Sequence, residues 1–544
     1  MRITPKRVAR ALKRRLRLAP AAVPAPARER VVVRELVLPA DELQEPLAIS
    51  QLDCTSLLGR YALPPLERMA PPERAELVDS LLSIQRMRNL GINPQDLEFP
   101  ELRLKRIYNG VCAALQDLTA PTRRSATFEG QTSSQLNAFL QQHEGCDVHV
   151  NTRLLLLDQT ILVPANTTID GHGARVVAKS TRVDKAVLLD GVHDVQIANL
   201  EFAGGCGYAV YVKHSERFAI ESCQITANDY KAICVMGENH DFAIRDNRIH
   251  HTGDGSIFLN GDVSRGIIEG NAIQHIGGSG NFSGGIVLSS LELVDINTAY
   301  NPWQQWYMPE LLECPHDLVI RRNNIVGCAA NGMYSHAGYC NYVVENAFDG
   351  CNKEGMCLDF GTCGTYVARN VVKGNGGRYG MTNIELENEY VLQFGRLADG
   401  SSAAKVPGIS LDNACYNILY QNVVEANYGS GIKIVRSGAR NVFLCNQVTD
   451  NNVGENDTFH FFAIELGTDR RPDYEPGEVH ELDFAPCFEN IIARNVISGD
   501  HYSGVFLGPD AYINDVFDNV IMDARNGIEL VSKKLNPQGN NRIQ

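Results

Sequence analysis

Apolar and polar residues alternate with period two along most of this chain, in runs short enough to be short strands. From about residue 146 onward the runs share one shape. Asp241–Ile249, Arg265–Ile273 and Asp317–Ile325 each give alternating apolar positions, then Asn, then an apolar residue two later. The Asn residues recur at 247, 271, 323, 346, 370, 422, 446, 495 and 519. Five of the eight intervals are 23 or 24 residues, and the others (52, 52 and 49) are one repeat plus an insertion of 25 to 28. Usually nine residues after each Asn comes a second strand of the form small–apolar–x–apolar–x. Gly285–Ser289, Gly355–Asp359, Gly431–Val435 and Gly527–Val531 are examples. A fixed period in this range marks a stacked repeat, and repeats with strands but no helix predict the coils of a parallel β-helix. The Leu lattice of leucine-rich repeats is missing, and period-two alternation excludes helical repeats.

The pattern before residue 146 is different. Residues 1–30 read as a basic arm and a Pro/Ala-rich linker. Residues 31–145 read as a helical region, with helices over about 72–90 and 100–118 and a third whose N-cap is Ser133 or Ser134. Helices at this end would cover the open end of the solenoid, which otherwise exposes apolar core and unpaired strand edges. The expected organisation is therefore arm, helical cap at 31–145, and a β-helix of about eleven or twelve coils over 146–544.

The segment Thr160–Val177 ("TILVPANTTIDGHGARVV") resembles the first coil of right-handed parallel β-helix proteins of the pectin-lyase-like superfamily. The recurring Asn resembles the internal asparagine ladder of that superfamily. The resemblance covers roughly residues 146–544. It implies a mainly-β solenoid and proteins that act on or bind polysaccharides. It names no reaction, because the fold hosts hydrolases, lyases, epimerases and non-catalytic spikes. Polygalacturonase-like members place aspartates, a His and a Lys on one outward face. Here the order differs and their motifs are missing.

Alternation assigns faces within the second strands. Positions two and four point inward. Position five points out and reads Asn260, Ser289, His336, Asp359, Asp412; position three reads Phe258, Val287, Tyr334, Cys357, Ser410, Lys433, Glu465. Titratable residues thus bunch on successive coils about 4.8 Å apart. Paired carboxylates at that spacing suit glycoside hydrolysis, which needs one protonated and one ionised carboxyl. Asp359, Asp412, His336, Lys433, Glu465 and Tyr334 are the catalytic candidates, and a solvated polar face is the bland alternative. Trp303, Trp306 and Tyr307 lie in one insertion and could stack on a sugar or merely pin the loop. Arg436 and Asn260 complete the candidate substrate-binding set. His251 and His275, with Asp254 and Asp262 nearby, form a second polar cluster.

Charge changes the picture in two ways. The net charge of -14 argues against a nucleic-acid partner. Yet the first twenty residues hold eight Lys and Arg and no acid, leaving -22 on the rest. That arm reads as a solvated tail or as peripheral contact with an anionic membrane. Fifteen cysteines with no CxxC pair and no export signal read as reduced thiols of a cytoplasmic protein. No metal and no cofactor is expected, the even spacing of Cys351, Cys357 and Cys363 notwithstanding. Three function classes stay open: a glycoside hydrolase using Asp359 and Asp412, a polysaccharide lyase or uronate epimerase using Tyr334 or His336 with Lys433 or Arg436, and a non-catalytic glycan-binding or scaffold protein.

Overall fold

The computed structural model describes residues 100–119, 124–179, 183–278, 282–290, 313–359, 361–376, 406–412, 414–434, 438–453, 462–467, 487–509, 511–531, 536 and 538–544. The basic arm, the helix expected over 72–90, Trp303, Trp306, Tyr307 and Arg436 lie outside them. The chain divides into two compact units. The first comprises residues 1–106, 291–301 and 310–312, of which only 100–106 are described. The second holds every described strand.

That unit is a parallel β-solenoid of about 14 turns, more than the eleven or twelve expected. Sheets of 15, 13 and 14 strands form its faces, and a short four-stranded sheet joins late in the chain. The ladder starts earlier than residue 146, because Arg124–Phe128 pairs in parallel with Cys146–Val150. The segment resembling a first coil is likewise preceded by strands at Cys146–Val150 and Leu154–Leu157. Two α-helices appear among the described residues: α1, Pro100–Leu115, and α2, Ser133–Gln142. The cap of α2 is Thr132 rather than a serine. Its side chain accepts from the Gln135 amide while the Gln135 side chain reaches back, a reciprocal capping box. Ser133 and Ser134 instead donate to Asp158. Leu136 and Leu140 of α2 join the solenoid core.

Inward positions of the thirteen-stranded sheet stack like on like. Ile257, Ile286, Met333, Met356, Ile409, Ile432, Ile464 and Val505 are register partners in succession, all fully buried. Each such side chain contributes roughly 1.5–3 kcal/mol by leaving water. No helix spans the core among the described residues, so the solenoid is held by these aliphatic columns and by amides at the corners.

The corner amides form three rails. In the first, Asn247 Nδ2 donates to Asn271 Oδ1 at 3.0 Å, and the pattern runs on through Asn323, Asn346, Asn370, Asn422, Asn446, Asn495, Asn519 and Asn541. Each Nδ2 also donates to a backbone carbonyl, as Asn370 does to Val343 O. A second rail joins Asn417, Asn441, Asn490, Asn514 and Asn536, and a third joins Asn375, Asn427 and Asn451. Buried turns carry backbone groups that no strand partner reaches, and the amides satisfy them. The bond from Asn370 to Asn422, 52 residues apart, measures 3.0 Å, like that from Asn247 to Asn271, 24 apart. Insertions therefore leave the register unchanged.

Candidate functional site

The thirteen-stranded sheet aligns the expected residues in two outward columns. One column passes from Val287 to Tyr334, Cys357, Ser410, Lys433, Glu465 and Phe506. In the other, Asn260 pairs with Ser289, and further along His336 pairs with Asp359. Asp412 follows Leu411, the partner of Leu358, and its amide donates to Leu358 O at 2.7 Å. Asp412 thus stands one coil beyond Asp359 on the same face, and the register across the long insertion holds.

These outward positions are nevertheless buried. Tyr334 is 2% exposed, His336 1%, Asp359 6%, Asp412 9%, Lys433 8%, Glu465 2% and Asn260 5%. Among described neighbours, the Phe282 ring packs edge-on against both Tyr334 and His336. Cys234, Phe258, Val287, Tyr334 and Cys357 form an apolar stripe along the same column, which turns polar at Ser410. The candidate site sits at that border.

Burial makes each polar contact count. Tyr334 Oη donates to Asp359 Oδ2 at 2.7 Å. Burial, reinforced by the Asp359 charge, pushes the Tyr334 phenol well above its ordinary range, so it remains a donor. Burial also lowers His336 to about 4, which leaves a neutral imidazole beside the carboxylates near neutral pH. Lys433 Nζ lies 2.7 Å from Glu465 Oε1, and Ser430 Oγ donates to Glu465 Oε2 at 2.6 Å. Lys433 and Glu465 therefore form an ion pair at one edge of the cluster.

Sequence reasoning missed Glu354. It is buried, and its pKa is raised by burial, opposed by Lys353 and reinforced by Asp412. Ser410 Oγ donates to its Oε1 at 3.4 Å. Glu354 directly precedes the small residue that opens the strand, a position outside the five that alternation was used to sort. Lys231 and Ser430 occupy the same position on other coils, and both are engaged: Lys231 Nζ meets Asp254 Oδ2 at 2.6 Å. Polar residues just before the opening Gly or Ala were the available signal.

The second cluster does not assemble as one site. The His251 and His275 rings do approach, with centroids 5.4 Å apart, and His250 Nδ1 lies 3.0 Å from His251 Nδ1. Burial and these two imidazoles lower the pKa of His250. Asp254 is held by Lys231 and Ser283, and Asp262 by His316, so neither carboxylate joins the histidines. Of the evenly spaced thiols, Cys351 lies in the aliphatic core and Cys357 in the outward stripe, so they do not converge.

No curated protein matches the chain in sequence. Solved structures that resemble it include the A-module of a mannuronan C-5 epimerase from Azotobacter vinelandii, at 11% identity and TM-score 0.46, covering 79% of this chain and 98% of that one. Tailspike protein 3 of bacteriophage CBA120 aligns at 9% identity and TM-score 0.45, over 78% of this chain and 61% of that one. A DFA-IIIase from Arthrobacter chlorophenolicus aligns at 11% identity and TM-score 0.38, over 74% and 93%. Likenesses this distant carry nothing about substrate. The family model for a right-handed β-helix region matches residues 185–372 and 310–461, together more than half of the sequence. With its parallel sheets and stacked corner amides, the chain belongs to the right-handed β-helix family.

Proposed function

We propose that the outward face at His336–Asp412 binds a glycan and cleaves it by hydrolysis, with Asp359 and Asp412 as the working pair. The observation that carries this reading is the 2.7 Å hydrogen bond from Tyr334 to Asp359, with Asp412 next in register. Two carboxyls on adjacent strands do not both ionise readily at low dielectric. The phenol donor favours the carboxylate form of Asp359, which makes Asp412 the proton carrier. Glu354 stands close enough to feel the charge of Asp412, and burial raises its pKa. Column-mates stand about 4.8 Å apart. In the proposed assignment Asp359 acts as nucleophile and Asp412 as acid/base, the roles of a retaining glycosidase.

A lyase or epimerase needs a base and a cation free to meet a uronate carboxylate. Here Tyr334 is a poor base and Lys433 is committed to Glu465, which leaves that reading to His336 as base and Arg436 as cation. Hydrolysis is the better match.

An oligosaccharide-turnover screen of parent and Asp359→Asn tests this. Hydrolysis with retention in the parent, and a loss of roughly 10²-fold or more in the variant, supports it. An unsaturated product absorbing in the ultraviolet would point to a lyase. Glycan binding without turnover in the parent would point to a binding protein.

A further inference from the structure

We infer that the start of the solenoid carries a binding site for a borderline divalent transition-metal ion of the Zn2+ class, built from His149, Asp170 and His172. It is independent of the carboxylate face. His149, on Cys146–Val150, and Asp170, on Thr168–Asp170, are direct register partners in the fifteen-stranded sheet. The inward neighbours Val148, Val150 and Ile169 are buried, so both residues project outward. His172 follows in a tight turn and holds a left-handed backbone, φ 48°, flanked by Gly171 and by Gly173 at φ 80°. The turn is fixed from the next coil: Gly171 N donates to Ala198 O and Gly173 N to Asn199 O, each at 2.8 Å.

This geometry returns the His172 ring onto His149. Their rings stack with centroids 5.2 Å apart, and His149 Nδ1 lies 3.0 Å from His172 Nε2. A tetrahedral zinc ion with bonds of about 2.0–2.1 Å separates two nitrogen ligands by about 3.3 Å. The two nitrogens thus stand near ligand spacing already. Asp170 Oδ2 lies 3.7 Å from His172 Nε2, and one ligand atom from each of the three residues falls within 4.8 Å of the others. The Asp170 carboxylate is oriented through Oδ1, which accepts from the His172 amide at 3.1 Å and from Asn199 Nδ2 at 3.0 Å. Such outer-shell support is what metal-binding carboxylates use. Among the described residues no other group of three His, Cys, Asp or Glu meets this spacing.

Two imidazoles and one carboxylate suit zinc, nickel or cobalt over the hard cations magnesium and calcium. The ion would replace the single shared proton between the rings and tie a strand, its register neighbour and a corner together. The role is a clamp on the early coils.

The test is calorimetric titration of metal-stripped full-length protein with Zn2+, under reducing conditions. His149→Ala and His172→Ala are compared with the parent, and His214→Ala serves as an off-site control. Both site variants should bind one equivalent fewer than the parent, and the control should match the parent. Zn2+ should raise the melting temperature of the parent by several degrees more than that of either site variant. An unchanged isotherm in both site variants would overturn the proposal. Equally tight binding of Ca2+ at the same residues would overturn the assigned metal class.

Discussion

The Tyr334 hydroxyl and the Asp359 carboxylate meet at 2.7 Å on an outward sheet face that is nevertheless buried. A hydrogen bond to a charged group in such a place contributes about 1.5–3 kcal/mol. Tyr334→Phe should therefore lower stability by about that amount, measured by urea unfolding. If Asp359 works as proposed, kcat should fall roughly tenfold as its ionised form loses the donor. Loss of stability with unchanged kcat would make the bond purely structural.

Lys433 and Glu465 form an enclosed ion pair on this face. Lys433→Met strands a buried carboxylate and should cost about 3–5 kcal/mol. Adding Glu465→Gln should restore much of that, because the orphaned charge is gone. A double-mutant cycle from denaturant melts reads the difference, and strictly additive losses would contradict the pairing.

The amide rails predict a positional gradient. Asn422→Ala removes two donated and two accepted hydrogen bonds in the middle of the first rail and should cost about 3 kcal/mol. Asn541→Ala, at the partly exposed end, should cost about 1 kcal/mol. Equal losses at both sites would show that the rail is not a stacked support.

Histidines give stability opposite pH slopes. Burial holds His336 and His501 at about 4, below the unfolded value of about 6.5. Their contribution is complete above about pH 6.5 and is lost as pH falls towards 4, by up to about 1.4 kcal/mol per pH unit for each proton. At His316 burial acts the same way, but hydrogen bonds with Asp262 and Asp317 outweigh it and raise the pKa. Its contribution is complete below about pH 6.5 and is lost as pH rises through the folded value. Denaturant melts of His336→Gln should therefore show a flatter profile between pH 4 and 6.5 than the parent. His316→Gln should flatten the alkaline side.

Much of this could be read from the chain alone, for a specific reason. Backbone alternation fixes which way a side chain points, so the order from Tyr334 to Glu465 and from His336 to Asp412 came from spacing once the Asn period set the register. Cover is a different property. That Asp359 points outward says nothing about whether water reaches it, since that depends on chain distant in sequence. The second and third rails were missed because one Asn per coil already explained the period. Yet Asn417, Asn422 and Asn427 repeat at five-residue steps, one short strand and its turn, and that spacing was on view. Glu354 was missed because it stands one residue outside the sorted strand.

The bond from Asn370 to Asn422 is indifferent to the chain that runs between them. A scaffold with that property separates what is inherited from what is invented. Its coils can be kept by selection for amide and aliphatic stacking alone, while the excursions between them are rewritten at no cost to the register. Lineages of such chains should therefore diverge fastest in specificity and slowest at the corners.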